Sequence, residues 1–477
     1  MNSVRMAAAA LLLAACAPAA GPSTSPAAAA GAVTEAGLLR LADRREYDEA
    51  YFRAALTDPD PAVARRAAWV LASLRRREGV ALLAPVMAAH TDTSVLATAA
   101  FALGQIADSA GLAPLIPYAD ASRAATMPTV VAEAAYALGK IRHSQARAAL
   151  TTLLATLEGD DPGTRTAAGA ALLAIWRQER PIPVTAIDAW LRHADPGIRW
   201  RAAYALARRP EPATAAALYG VAADGEPLVR SFVARALTGP MADSSGVGRD
   251  AALDVLVRYA TRDTSLAVRI NALRSLGTHP SPRALALLTD VAAIGAPYES
   301  ITAMESLGRL GSFAAPSAGV LRQEAQDADM PVAVRTTALA ALAQVDRDRA
   351  LEAARALVRE PDWRLRAAAA RAFAQVGDAA LGDLATLLES EPDGRVAAAG
   401  LEELVTAAGD RWDPRRRALV LGGFRSPDVM VRTSALGGVA RMADTALLGV
   451  VLDAYGDATA REDSANDAVL AAVDALA

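Results

Sequence analysis

One pattern of apolar positions recurs from about residue 60 to the end of the chain. An apolar residue is followed by others at +4, +8 and +11, with Ala-rich stretches between them. At about 100° per residue these positions fall within about 80° of one another, which predicts an amphipathic helix with one buried face. Thirteen copies align, with first positions Val63, Val95, Val130, Thr164, Ile198, Val229, Val268, Glu299, Val334, Leu365, Val396, Val431 and Ala465. Their spacing averages roughly 33 residues, a period that marks a repeat architecture. The copies at Glu299 and Ala465 are degenerate. A second apolar segment lies between copies, as at 80–89 and 148–157. The predicted unit is therefore two antiparallel helices, with no strand signal.

The start of each patterned helix is marked. An acid stands three residues before the first apolar position in nine copies: Asp60, Asp92, Asp161, Asp195, Glu226, Asp362, Asp393, Asp428 and Glu462. Asp accepts hydrogen bonds from the free N–H groups of the first turn and complements the helix dipole. Pro61, Pro128, Pro162, Pro196 and Pro227 occupy the next position, where a missing N–H costs nothing. Gly104, Gly139 and Gly308 follow completion of the apolar face, which suits a turn or break. A pair this short cannot bury its faces alone, so successive pairs must stack.

The recurring segment, seen at Asp60-Pro61-Ala62-Val63-Ala64-Arg65-Arg66-Ala67-Ala68-Trp69-Val70-Leu71, resembles the HEAT repeat in the short form likened to phycobilisome-lyase repeats. The resemblance covers about residues 45–477 and implies an all-α, right-handed α-solenoid of about thirteen stacked two-helix repeats. It also implies a role for Arg165, Arg199, Arg230, Arg269, Arg335, Arg366 and Arg432, all at +1. In HEAT arrays such arginines pair with the capping Asp of a neighbouring repeat. Ala99-Ala100-Phe101-Ala102-Leu103-Gly104-Gln105-Ile106 is similar to segments in exported HEAT proteins that continue into a cyclophilin-type peptidyl-prolyl isomerase. The chain contains no cyclophilin segment. That resemblance therefore implies an alternative, the N-terminal scaffold of an isomerase whose catalytic domain lies beyond Ala477.

Composition narrows the chemistry. There are 121 Ala among 477 residues and only 4% aromatics, which favours close-packed helices over pleated sheets. A net charge of −4 gives no footprint for binding a polyanion, so no nucleic-acid partner is expected. Lys140 is the sole lysine. Of the four histidines, His90 and His193 each lie five residues before a first apolar position, three repeats apart. At roughly 10 Å per repeat they cannot share a metal. Together with His143 and His279 they read as surface histidines near helix ends. Gly246-Val247-Gly248-Arg249-Asp250-Ala251 has dinucleotide-loop spacing, but no strand precedes it, so it reads as the loop that lengthens the interval between Val229 and Val268. Arg75-Arg76-Arg77 and Arg415-Arg416-Arg417 read as solvated faces or membrane-surface contacts. No nucleophile, acid/base pair or cofactor motif emerges, so neither catalysis nor a cofactor is expected of this chain.

The N-terminus supplies an address. One positive charge, Arg5, precedes an apolar run from Met6 to Ala15, too short to span a bilayer. Leu13-Ala14-Ala15-Cys16 resembles the lipobox of bacterial lipoproteins, and Cys16 is the only cysteine. The resemblance implies a signal peptide over 1–16 and lipidation of Cys16. Residues 17–34, rich in Ala, Pro, Gly and Ser, read as a flexible tether before a solenoid over 35–477. In that lipoprotein family an Asp after the Cys retains the protein at the inner membrane, and the residue here is Ala17. That implies the outer membrane of the cell envelope, facing the periplasm.

A candidate binding surface follows from the helical wheel. Position +6 lies at about 240°, nearly opposite the buried face, and in a stacked array should line the concave side. Down the chain it is Trp69, Phe101, Tyr136, Ala170, Tyr204, Arg235, Arg274, Glu305, Ala340, Arg371, Glu402, Gly437 and Ala471, with Trp200 beside Tyr204. Rings followed by guanidinium groups suit an extended protein or peptide segment. Alternatively, the rings fold down onto adjacent repeats and fill gaps left by Ala. At the other end, Ala468–Ala477 keeps an apolar stripe, which predicts a covering domain or partner.

Overall fold

The computed structural model describes residues 33–453. Twelve patterned helices are present among them, from Pro61–Leu74 through Thr93–Ile106, Pro128–Lys140 and Pro162–Ile175 to Val429–Met442. Each expected capping acid in this range, from Asp60 to Asp428, accepts a hydrogen bond from a first-turn backbone N–H. No strand occurs among the described residues. The signal segment with Cys16, the tether before Val33, the copy at Ala465 and the stripe 468–477 lie outside them.

The linking segments are less regular than the capped helices. Gly79–Ala89, Ser144–Thr156 and Pro282–Ile294 are continuous helices. Pro114 and Pro117 fall in the segment after Thr93–Ile106, which is broken into the short helix Leu112–Leu115 and flanking 3₁₀ turns. An extra pair, Glu35–Arg44 and Glu49–Leu56, precedes the first copy. Thr34 caps Glu35–Arg44, and Glu35 accepts an ion pair from Arg66 at 2.6 Å, tying the pair to the array.

Capped helices pack on one another more closely than linking helices do. A stack closer on one side bends toward that side, so the capped helices form the inner, concave layer. Glycine makes the approach possible. Gly104, Gly139 and Gly308 lie inside helices rather than at breaks, correcting the sequence expectation. A Cβ at Gly104 would sit 2.6 Å from the Ala137 Cα, and one at Gly139 2.7 Å from the Ala174 Cβ. The packing between repeats itself excludes a side chain at Gly104 and Gly139 and leaves little room at Gly308, where a Cβ would sit 3.3 Å from the Ala341 Cα.

The +1 arginines form a ladder along one edge; Arg165 reaches the next copy's capping Asp195 at 3.6 Å, as the resemblance implies, but for four others the partner differs. Arg199 pairs with Asp224 at 2.8 Å, Arg230 with Asp263 at 2.7 Å, Arg335 with Glu360 at 2.5 Å and Arg366 with Glu391 at 2.9 Å. Each acid lies five residues before the next copy's first position, not at the cap. The same guanidinium donates to carbonyls of its own loop, as Arg230 does to Asp224 and Gly225. The acid in turn accepts from the capping residue's N–H, as Asp224 does from Glu226. One residue thus fixes its own loop, the next loop and the next cap.

The histidines and the degenerate copy fit this scheme. His90 and His193 take the acid's place, each accepting through Nδ1 from the backbone N–H of Asp92 or Asp195 at 3.0 Å. In the copy at Glu299 the corresponding residue is Ile294, and Arg269 reaches Glu299 itself at 2.6 Å. His143 caps Ser144–Thr156. His279 departs from the surface reading: it is only 1% exposed, with Nε2 2.9 Å from the Leu237 carbonyl. Arg75, Arg76 and Arg77 are exposed, as expected of a solvated face, even where Arg77 reaches Asp108 at 2.9 Å, whereas Arg416 and Arg417 are half-buried and Arg417 reaches Asp444 of the adjoining repeat at 2.5 Å.

Candidate binding face

Position +6 falls on the surface of the inner layer in every described copy but one. Ala170 alone is buried. Trp69 is 45% exposed, with the Arg66 guanidinium 5.7 Å from its ring centre. Phe101 and Tyr136 are half-buried. The Lys140 ammonium stands 5.2 Å over the Phe101 ring. Burial lowers its pKa, with Arg177 and Arg75 acting in the same direction and Glu133 opposing them. Glu133, one helical turn before Tyr136, is pushed up by its own burial.

The structure gathers the rings of the fourth to sixth copies into one cluster. Tyr204 meets Trp176 edge-on at 6.0 Å and Phe232 edge-on at 5.6 Å. Guanidinium groups lie over these rings: Arg208 over Trp176 at 4.5 Å, Arg177 over the same ring at 4.9 Å, and Arg235 over Phe232 at 5.9 Å. Trp200 carries Arg201 at 4.6 Å. Trp69 and Tyr136 stand outside this cluster. Arg274, Glu305, Ala340, Arg371, Glu402 and Gly437 continue the row as exposed positions.

The sequence row omitted Trp176 and Phe232. Phe232 is +3 in its copy, one helical step to the side of +6 on the wheel, so scoring the positions that flank +6 finds it. Trp176 caps the end of Pro162–Ile175, where the wheel no longer predicts direction. Both rings are partly covered, so the cluster combines packing between repeats with an accessible outer surface.

A repeated pair of helices, a shared ladder of arginines and a continuous inner face define an α-solenoid built for stacking. The HEAT repeats family model matches residues 49–127, 220–308 and 318–405, more than half of the chain, and the PBS lyase HEAT-like repeat model matches 130–156. The chain belongs to the HEAT-repeat family. No curated protein matches it. Among solved structures it is similar to yeast importin-beta, Kap95p, at 12% identity, covering 94% of this chain and 65% of that one with a TM-score of 0.52. Kap121p bound to Nup53p matches at 12% identity over 88% of this chain and 53% of that one, TM-score 0.48. Human deoxyhypusine hydroxylase in complex with glycerol matches at 21% identity over 57% of this chain and 98% of that one, TM-score 0.24. The chain spans about half the length of Kap121p. The Kap95p likeness shows the fold.

Proposed function

We propose that this chain is a lipid-anchored scaffold of the bacterial cell envelope whose concave face holds a protein or peptide, with no catalysis of its own. The observation that carries the reading is the inner face of rings and guanidinium groups, which the ion-pair ladder leaves uncovered. Solenoids present such extended concave surfaces by construction. Trp69, Phe101, Tyr136, Trp200, Tyr204, Arg235 and Arg274 are the residues assigned to it. Anchoring is assigned to Cys16 and location to the outer membrane facing the periplasm. Among the described residues no helix is long and apolar enough to cross a membrane.

Two experiments test the reading. Cys16→Ser is expected to abolish lipid labelling and membrane partition at high salt. Retention of the processed mutant on membranes would remove the lipid anchor. Photo-crosslinking residues placed at Tyr136 and Trp200 are expected to capture the same protein in cells. Ala81, exposed on the linking helix Gly79–Ala89, serves as the outer-face control. Equal capture from Ala81 would overturn the assignment to the inner face.

A further inference from the structure

Three consecutive repeats carry two sets of arginines with different surroundings. At +1, Arg199, Arg230 and Arg269 each take a carboxylate, from Asp224, Asp263 and Glu299. On the inner face of the same repeats, Arg208, Arg235 and Arg274 are exposed and make no ion pair within 4 Å among the described residues. No acid stands at +2, +3, +6 or +10 of these repeats, leaving an uncompensated positive strip on an acidic chain. Glu305, the +6 residue of the next repeat, ends it.

The rings hold two members of this strip in place. Arg208 lies over Trp176 and, at 6.0 Å, over Tyr204, while Arg235 lies over Phe232. The ring contacts from Trp176 to Tyr204 to Phe232 link those supports across three repeats. A guanidinium covered on its face keeps its N–H edge free, and that edge pairs with a carboxylate through two parallel hydrogen bonds.

Arg235 and Arg274 both stand at +6, and Arg208, at +10, lies one helical turn further along, an offset of about 6 Å that its long side chain can span, so the spacing of the repeats sets the spacing of the carboxylates. Neighbouring helices stack about 8–10 Å apart. A polyproline II segment rises about 3.1 Å per residue with three residues per turn, so every third residue returns to one face about 9 Å along. A β-strand fails the match, because positions three apart point to opposite faces. Polyproline II segments also dock on aromatic-lined surfaces, as the Trp176–Tyr204–Phe232 cluster provides.

We propose that this strip binds an acidic peptide segment in the polyproline II conformation, with carboxylates at every third residue facing Arg208, Arg235 and Arg274. The inference rests on the concave-face reading above and supplies its ligand class.

The test titrates the full chain, by tryptophan fluorescence and calorimetry, with three peptides, the first two of one composition rich in Glu, Pro and Ala. One has Glu at positions 1, 4 and 7, a second has the three Glu adjacent, and a third has no Pro and Glu seven apart on a helix. The first is expected to bind at least tenfold tighter than the second. Arg235→Gln should weaken it at least fivefold, with the melting temperature unchanged. Equal affinity for the first two, tighter binding of the helical peptide, or equal competition by a nucleic acid would overturn the proposal. A neutral proline peptide that binds equally well and is lost in Tyr204→Ala would overturn the carboxylate register while leaving the concave-face reading intact. Absence of binding by every peptide, with protein still captured from Tyr136, would do the same.

Discussion

Arg230 and Arg235 lie on one helix, Pro227–Ala236, and differ only in where it points them. Arg230, at +1, is 15% exposed in its side chain, pairs with Asp263 and holds two carbonyls of its own loop. Arg235, at +6 and so on another face of the helix, is exposed, rests on Phe232 and has no ion pair among the described residues. The same side chain is a clamp in one setting and an open recognition group in the other. The inner face stays positive here because the +2, +3, +6 and +10 residues of these repeats include no acid.

The sharpest way to break this comparison is to remove the acid. Asp263→Ala leaves the Arg230 charge largely buried without its partner, and the expected cost is about 3 kcal/mol in chemical denaturation. Arg235→Ala removes an exposed group and should stay within ~0.5 kcal/mol. Equal effects would erase the distinction. Burial alone would raise the Asp263 pKa, but the hydrogen bonds from Arg230 and the Ser265 backbone hold it below the usual 3.8. Its contribution is therefore present above pH 3.8 and lost as pH falls through the depressed value.

Glycine offers the same contrast between edge, interior and open face. A methyl at Gly139 would meet Ala174 Cβ at 2.7 Å and Cα at 2.9 Å. Gly139→Ala should cost about 2 kcal/mol by forcing two helices apart. Gly437, at +6 in Val429–Met442, has nothing within 4 Å of a Cβ. There Ala should stabilise by about 0.5–1 kcal/mol, because Gly is the poorer helix former. Melting curves that move in the same direction for both would contradict the close approach.

What the sequence made legible was set by local physics. Asp60 and Asp92 read as caps because a cap is written within four residues, and +6 read as surface because the helical period is fixed. Pairing across repeats was only half legible. The link from Arg199 to Asp224 joins residues 25 apart, and the resemblance pointed instead to the cap at Glu226. The clue was present: an acid five residues before a first apolar position follows Arg at +1 of the preceding copy for Arg199, Arg230, Arg335 and Arg366. Trp176 was not legible, since nothing in the period fixes a ring just beyond a helix end.

The rings sharpen the comparison on a smaller scale. Tyr204 contacts Trp176 and Phe232, whereas Trp69 is 45% exposed and, among the described residues, has only the Arg66 guanidinium over its face. Losing two edge-on ring contacts makes Tyr204→Ala cost about 1.5–2 kcal/mol, and Trp69→Ala should cost less than ~1. A larger loss at Trp69 than at Tyr204 would mean that the first repeats, not the middle ones, are held together by this face.

The smallest expected effect concerns pH. His279 lies between Leu266–Leu276 and Pro282–Ile294, buried to 1% exposure, with Nε2 fixed on the Leu237 carbonyl and Nδ1 buried without a hydrogen-bond partner among the described residues. Burial lowers its pKa below the usual 6.5; Arg249 acts in the same direction, while the Leu237 carbonyl and Asp243 oppose. Above pH 6.5 the ring is neutral in folded and unfolded chains and adds no pH dependence. As pH falls below 6.5 the unfolded chain takes up the proton first, so the folded state loses stability until its own depressed pKa is passed. His279→Gln keeps a donor for the Leu237 carbonyl and removes the titration. The melting temperature of the native chain should therefore fall further between pH 7 and pH 5 than that of the variant, with similar values at pH 7.5. Parallel pH profiles would show that the fold holds the ring without excluding its charged form, and the edge of the array near Leu237 would then be looser than its packing implies.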